Sequence, residues 1–214
     1  MKNFISILVS VLTVLIPSWA SGKDNGSDPY KDYDETRFMD MSLDENILTP
    51  AVGKNEHGAI KAYMTRLAQD LAKRNYIVDM TRNDEVIIVT VPSDDIFLPN
   101  DTLLSPNAPG RLSPLLKAFS DPFMMKMVYA VHTDNTGSAP YNMRLSHERN
   151  NSIYDWMLDN INEDLIVIPY EMGDTDPVAA NDTREGRREN RRLEIFFIPG
   201  PKMITLARKG QLTK

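Results

Sequence analysis

From residue 58 onward, the apolar positions of the chain keep helical and strand periods in turn. Between Gly58 and Arg74, Ile60, Met64, Leu67 and Leu71 recur at helical spacing, with Tyr63 beside them and Lys61, Arg66, Gln69, Asp70 and Lys73 on other faces. This predicts an amphipathic helix over residues 58–75, with Asn75 as its stop. Tyr76–Met80 and Val86–Val91 then read as the strands of a hairpin that turns at Arg82-Asn83-Asp84. The second run is almost continuously apolar and β-branched, as expected of a strand covered on both faces.

Pro92 to Pro106 reads as loop. Asn107–Ser120 repeats a helical stripe through Leu112, Leu115, Leu116 and Phe119; Pro114 either kinks it or marks its first turn behind Ser113. Met127–Val131 is a short buried strand that delivers the chain to His132 and Asp134. A helix follows, from Tyr141 or Asn142 to Asn160, with Leu145, Ile153, Trp156 and Met157 close to one side. Leu165–Ile168 completes a βαβ unit. Met172–Thr183 is loop, Arg184–Asn190 a short polar helix and Leu193–Ile198 the last strand, and residues 200–214 form a mildly basic tail with little pattern. The predicted fold class is an α/β (α+β) sandwich. A helix and hairpin precede a βαβαβ(α)β order, giving a mixed sheet of about four strands with helices packed on it. The stretch before the last strand is too irregular for a full crossover helix, which favours an antiparallel neighbour there.

The N-terminus departs from this alternation. Lys2, the apolar run Phe4–Pro17 and then Ser18-Trp19-Ala20 read as a secretory signal peptide over residues 1–20. The run is shorter than the ~20 apolar residues that span a bilayer, so no membrane span is expected after cleavage. Residues 21–57 are polar, acidic and rich in Gly, Ser, Asp and Pro, and are expected to be flexible or loosely docked. Tyr30, Tyr33 and Phe38 are available there for contact with the domain or a partner. The net charge of -6 gives no basic face for nucleic acid. Without cysteine, the chain has no disulfide, no thiolate metal site and no thiol for a lipid. The three histidines, His57, His132 and His147, are scattered, so no metal is predicted. No glycine-rich phosphate loop suggests a cofactor. His132, Asp134 and Ser146 are hydrolase residue types, but no nucleophile elbow accompanies them, and a non-enzyme is expected.

Three stretches carry candidate chemistry. Asp134, in Thr133-Asp134-Asn135-Thr136-Gly137, stands at the C-terminal end of a buried strand, where open α/β sheets tend to bind ligands; it either caps its own turn or faces a ligand. Arg149 sits near the apolar side of its helix, where it either pairs with Asp134 or holds a carboxylate bidentate. The charge run Arg184–Arg192 holds both signs and reads as a solvated face, yet one of Arg191 and Arg192 must point inward as the final strand begins.

Taken together, the Thr133–Gly137 turn, the Tyr141-Asn142 pair, Leu145-Ser146 with Arg149, the Pro177–Arg187 loop and Asn190-Arg191-Arg192-Leu193-Glu194-Ile195 resemble the OmpA-like peptidoglycan-binding domain. That domain is shared by the C-terminal half of OmpA, Pal lipoproteins and MotB-type stator proteins. The likeness covers residues 76–199, and Ile96–Ala108 is similar to the family's loop after its first core strand. The resemblance implies non-catalytic binding of the stem peptide of peptidoglycan at its meso-diaminopimelate residue. It implies that Asp134 receives the ammonium group and Arg149 the carboxylate. Asn142, Asn100, Thr133, Arg191 and Arg192 complete the implied site. It further implies a periplasmic protein that uses no cofactor and has peptidoglycan as its partner, with envelope proteins as further partners through residues 21–75. The alternative is an interaction module that keeps the fold without the ligand. Val131, Asn150 and Leu193 depart from the family pattern, and Phe97-Leu98-Pro99 lacks its usual aspartate.

Overall fold

The computed structural model describes residues 30, 33, 35–161 and 165–213. The expected signal peptide, and residues 21–29 after it, lie outside the described residues. The elements run α1 (Glu35–Met39), α2 (Leu43–Leu48), α3 (Lys54–Ala72), β1 (Ile77–Thr81), β2 (Val86–Pro92), α4 (Ser93–Ile96), α5 (Ala108–Ala118), β3 (Met125–His132), α6 (Ala139–Leu158), β4 (Val167–Gly173), α7 (Arg184–Asn190), β5 (Arg192–Pro199) and α8 (Pro201–Arg208).

The strands form one mixed sheet in the order β1-β2-β5-β3-β4. β3 and β4 are parallel, joined by α6 as a βαβ unit, while β5 is antiparallel to both β2 and β3. The expected class is therefore observed, with a five-stranded sheet instead of about four. The hairpin does not precede the sheet but belongs to it, because the apolar β2 needs a partner on each side and finds β1 and β5. β4 starts two residues later than expected and runs on through Pro169. It is an edge strand, where a residue without an N–H costs no ladder bond on the open side.

Alternation along the strands decides the layers. Met127, Tyr129 and Val131 of β3, with Leu193, Ile195 and Phe197 of β5, face a core closed by α3, α5, α6 and α8. Val128 and Ala130, with Phe196 and Ile198, face the opposite side, which Tyr33 and Phe38 cover. Two expectations are corrected here. Residues 35–48 are not a flexible segment: α1 and α2 pack on the sheet's second face, with Phe38 and Asn46 buried. The C-terminal tail contains α8, which buries Met203, Ile204 and Ala207 against the first core.

The second face also buries a lysine. Lys126 of β3 is fully buried, with its ammonium 3.8 Å from the centre of the Phe38 ring and donating to Asn46 Oδ1. Burial drives its pKa down to about 6, and the guanidinium groups of Arg82 and Arg37 push the same way. The unfolded lysine titrates near its ordinary value of ~10.4. Between about pH 6 and pH 10 the unfolded chain therefore binds the extra proton, and stability rises with pH. Urea denaturation across this range should show the rise, and Lys126→Met should flatten it. An equal slope in the variant would assign the pH dependence to other groups.

Candidate functional site

The chain brings its charged residues together at one end of the sheet. β5 lies between β2 and β3 and runs antiparallel to both, so the start of β5 sits beside the ends of the other two. Arg191 caps α7 directly before β5, Asp94 follows β2 and Asp134 follows β3. Arg191 Nη1 donates to Asp134 Oδ2 at 2.8 Å. Its Nε and Nη2 donate to the two carboxylate oxygens of Asp94 at 3.2 and 3.0 Å. One guanidinium is thus shared by two carboxylates.

Asp134 is buried at the base of its turn, with Oδ1 accepting from the Thr136 N–H at 2.9 Å. Burial alone would raise its carboxyl pKa. The hydrogen bonds from Thr136 and Arg191 outweigh that and hold it below the usual aspartate range. The turn is shaped by Gly137, where a Cβ would come within 2.5 Å of both Asn142 Oδ1 and the Tyr141 ring. Asn142 is buried under it and donates to the Gly137 carbonyl.

Arg149 reaches the same region from α6. It is only 4% exposed. Its Nε donates to the Asp101 carbonyl at 2.9 Å and its guanidinium lies 4.8 Å from the centre of the Phe97 ring. Burial pushes its pKa below the ordinary value; Asp94 opposes this and Arg191 adds to it. Nη1 of Arg149 is buried without a partner. The ion pair of Asp134 is with Arg191, so the simple Asp134–Arg149 bridge that the sequence allowed is not formed.

The other predicted residues are distributed unevenly. Thr133 is buried, with its N–H on the Gly173 carbonyl at 2.7 Å and its Oγ1 unpartnered. Asn100 is exposed on the loop after α4, in the left-handed region at φ 58°, and it is the next residue, Asp101, whose carbonyl meets Arg149. Arg192 does not join the group. It shares a strand face with Glu194, Phe196 and Ile198, so it turns to the sheet's second side. There its Nε lies 3.0 Å from Glu194 and its Nη2 3.4 Å from Asp176. His132 Nε2 is 3.0 Å from the same Glu194. Among the described residues, His132, Asp176 and Glu194 bring potential metal-ligand atoms within 4.8 Å of one another, but Arg192 already supplies their counter-charge. Ser146, the hydroxyl of the hydrolase residue types, is fully buried, donating to the Met143 carbonyl and accepting from the Gly173 N–H. Asp94, Phe97 and Asp101 were missed in the sequence. The available signal was the placement of Asp94 directly after a strand, the same argument that singled out Asp134.

Comparison with known proteins agrees with this architecture. Residues 96–191 match the model of the OmpA family. The probable lipoprotein YiaD of Escherichia coli is 28% identical over 122 residues, covering 57% of this chain and 56% of YiaD. The peptidoglycan-binding protein ArfA of Mycobacterium tuberculosis is 34% identical over 85 residues, covering 40% of this chain and 25% of ArfA. The chain therefore spans little more than half of one relative and a quarter of the other. A putative MotB-like protein from Desulfovibrio vulgaris shares the fold at a TM-score of 0.55 and 21% identity, over 67% of this chain and 95% of its own. Among the described residues no helix is long and apolar enough to cross a membrane. The family match lies over the strands and turns that assemble Asp134, Asn142, Arg149 and Arg191, so this chain is similar to the OmpA family across residues 96–191.

Proposed function

We propose that this domain binds the stem peptide of peptidoglycan by gripping the side-chain end of meso-diaminopimelate, and that it does no chemistry on it. The observation that carries the reading is the buried, unpartnered Nη1 of Arg149, whose guanidinium senses the charge of Arg191, the partner of Asp134. A buried guanidinium donor left unmade is costly, and a ligand carboxylate satisfies it bidentately. Asp134, held below the usual aspartate range, stays ionised for an ammonium group. The side-chain end of meso-diaminopimelate carries one group of each sign. Lysine lacks the carboxylate and would leave Arg149 unanswered, a difference of about 2–5 kcal/mol for a buried charge. ArfA, 34% identical to this chain over 85 residues, bears peptidoglycan binding in its name. On this reading the protein works in the periplasm and holds an envelope component at the cell wall.

Sedimentation with purified sacculi tests it. The wild type should co-sediment, and Asp134→Ala and Arg149→Ala should each weaken retention by roughly tenfold or more. Arg149→Lys should recover little, because an ammonium cannot make two parallel N–H bonds to a carboxylate. If both alanine variants, checked for folding by thermal melting, sediment like the wild type, the reading fails and a protein-interaction role gains.

A further inference from the structure

The arrangement of Arg191 raises a question that the ligand reading by itself leaves open. Asp134 is already salt-bridged, and a carboxylate neutralised by a guanidinium is a poor receptor for an ammonium group. The answer lies in Asp94. Two of the three Arg191 donors go to Asp94 and one to Asp134. Asp94, Asp134 and Arg191 carry two negative charges and one positive, which leaves one net negative charge. Arg188 lies 3.8 Å from Asp94 but is exposed, so solvent screens it.

Resting on the stem-peptide reading above, we propose that Asp94 is a positioning and specificity residue of the site: by holding Arg191 bidentate it keeps Asp134 available to the ligand ammonium. Three neighbouring strands build this device. The Ser93 N–H donates to the Arg191 carbonyl at 3.0 Å, so the backbone that carries Asp94 is tied to the backbone that carries Arg191. Arg149, the carboxylate receptor, senses both Asp94 and Arg191. The ligand end is thus met by one net negative charge from the triad and one positive charge from Arg149, the mirror of its own zwitterion. Without Asp94, Arg191 turns fully to Asp134, the triad becomes neutral, and the ammonium loses its counter-charge while the strands that carry the site stay in place.

The charge count makes the test sharp. Binding of a synthetic tripeptide containing meso-diaminopimelate is measured by titration calorimetry at low ionic strength on the full chain. Asp94→Asn should weaken binding by about tenfold, the loss of one opposite charge at close range in a partly wet site. The double variant Asp94→Asn with Arg191→Gln returns the site to one net negative charge and should bind better than Asp94→Asn alone. A purely structural Asp94 predicts the reverse order, since the double variant removes more contacts. Wild-type binding that persists unchanged in Asp94→Asn, or a double variant weaker than the single one, overturns the role of Asp94 and leaves the stem-peptide reading standing. Absence of wild-type binding overturns that reading and this one with it.

Discussion

Arg192→Met should destabilise the fold by about 3–5 kcal/mol, the usual result of removing one partner from a buried ion pair. Arg192 is 2% exposed and its guanidinium lies against Glu194 and Asp176. The substitution keeps the volume of the stem but leaves the mostly buried Glu194 carboxylate with His132 as its remaining neighbour. The acid side of the stability profile should move as well. Burial alone would raise the Glu194 pKa, but His132 and Arg192 outweigh it and hold the carboxyl at about 2. An unfolded glutamate titrates near ~4.3. Because the folded value is depressed, Glu194 contributes stability above about pH 4, and that contribution is lost as pH falls from there toward 2. In Arg192→Met the carboxyl titrates higher, so acid unfolding should begin at higher pH. Urea melts at pH 7 and an acid titration followed by circular dichroism check both statements. Arg191 is the control one residue away. It is 30% exposed, and a partly solvated pair typically contributes about 1 kcal/mol or less. A cost below 1 kcal/mol for Arg192→Met would mean that the cluster does not anchor this end of the sheet.

Phe38→Ala should cost about 3–5 kcal/mol, the range for truncating a buried aromatic side chain. Phe38 is 1% exposed, packs edge-on against Tyr33 at 5.0 Å and lays its ring face over the Lys126 ammonium. Truncation therefore opens a cavity and also removes the π face beside a buried amine. The effect should be local before it is global. Amide exchange should accelerate across α1 and α2, and in the strand residues beneath them such as Val128 and Phe196. Retention on sacculi should stay close to wild type at temperatures where the fold persists, since Asp134 and Arg149 lie with the first core and the loop end of the sheet. Exchange that accelerates uniformly over all five strands would show that the N-terminal helices and the sheet melt as one unit.

How much of this was legible along the chain depended on whether a single element could carry the signal. The apolar stripe of α3 and the βαβ unit around α6 were readable because their residues repeat at the period of the element itself. α1 and α2 were not. Helices of five and six residues are unstable by themselves and exist because Phe38 and Asn46 find the sheet. One local sign was present: Ser42 and Glu45 form a reciprocal capping box at the start of α2. α8 was unreadable for the same reason, with only Pro201, Met203, Ile204 and Ala207 to mark its buried face. Within the site, Asp134, Asn142 and Arg149 fall in one stretch of chain and could be picked out together. Asp94 lies forty residues before Asp134 and nearly a hundred before Arg191, and no pattern in the chain links them.

The sequence by itself determined the succession of buried strands, the longer amphipathic helices and the residue types able to meet a zwitterion, because periodicity and side-chain chemistry are local properties. The tertiary structure decided which charges meet. Placing β5 between β2 and β3 put Arg191 between Asp94 and Asp134, and strand alternation sent its neighbour Arg192 to the opposite face. Charge pairing depends on distances across the sheet, which are fixed only when the strands are side by side.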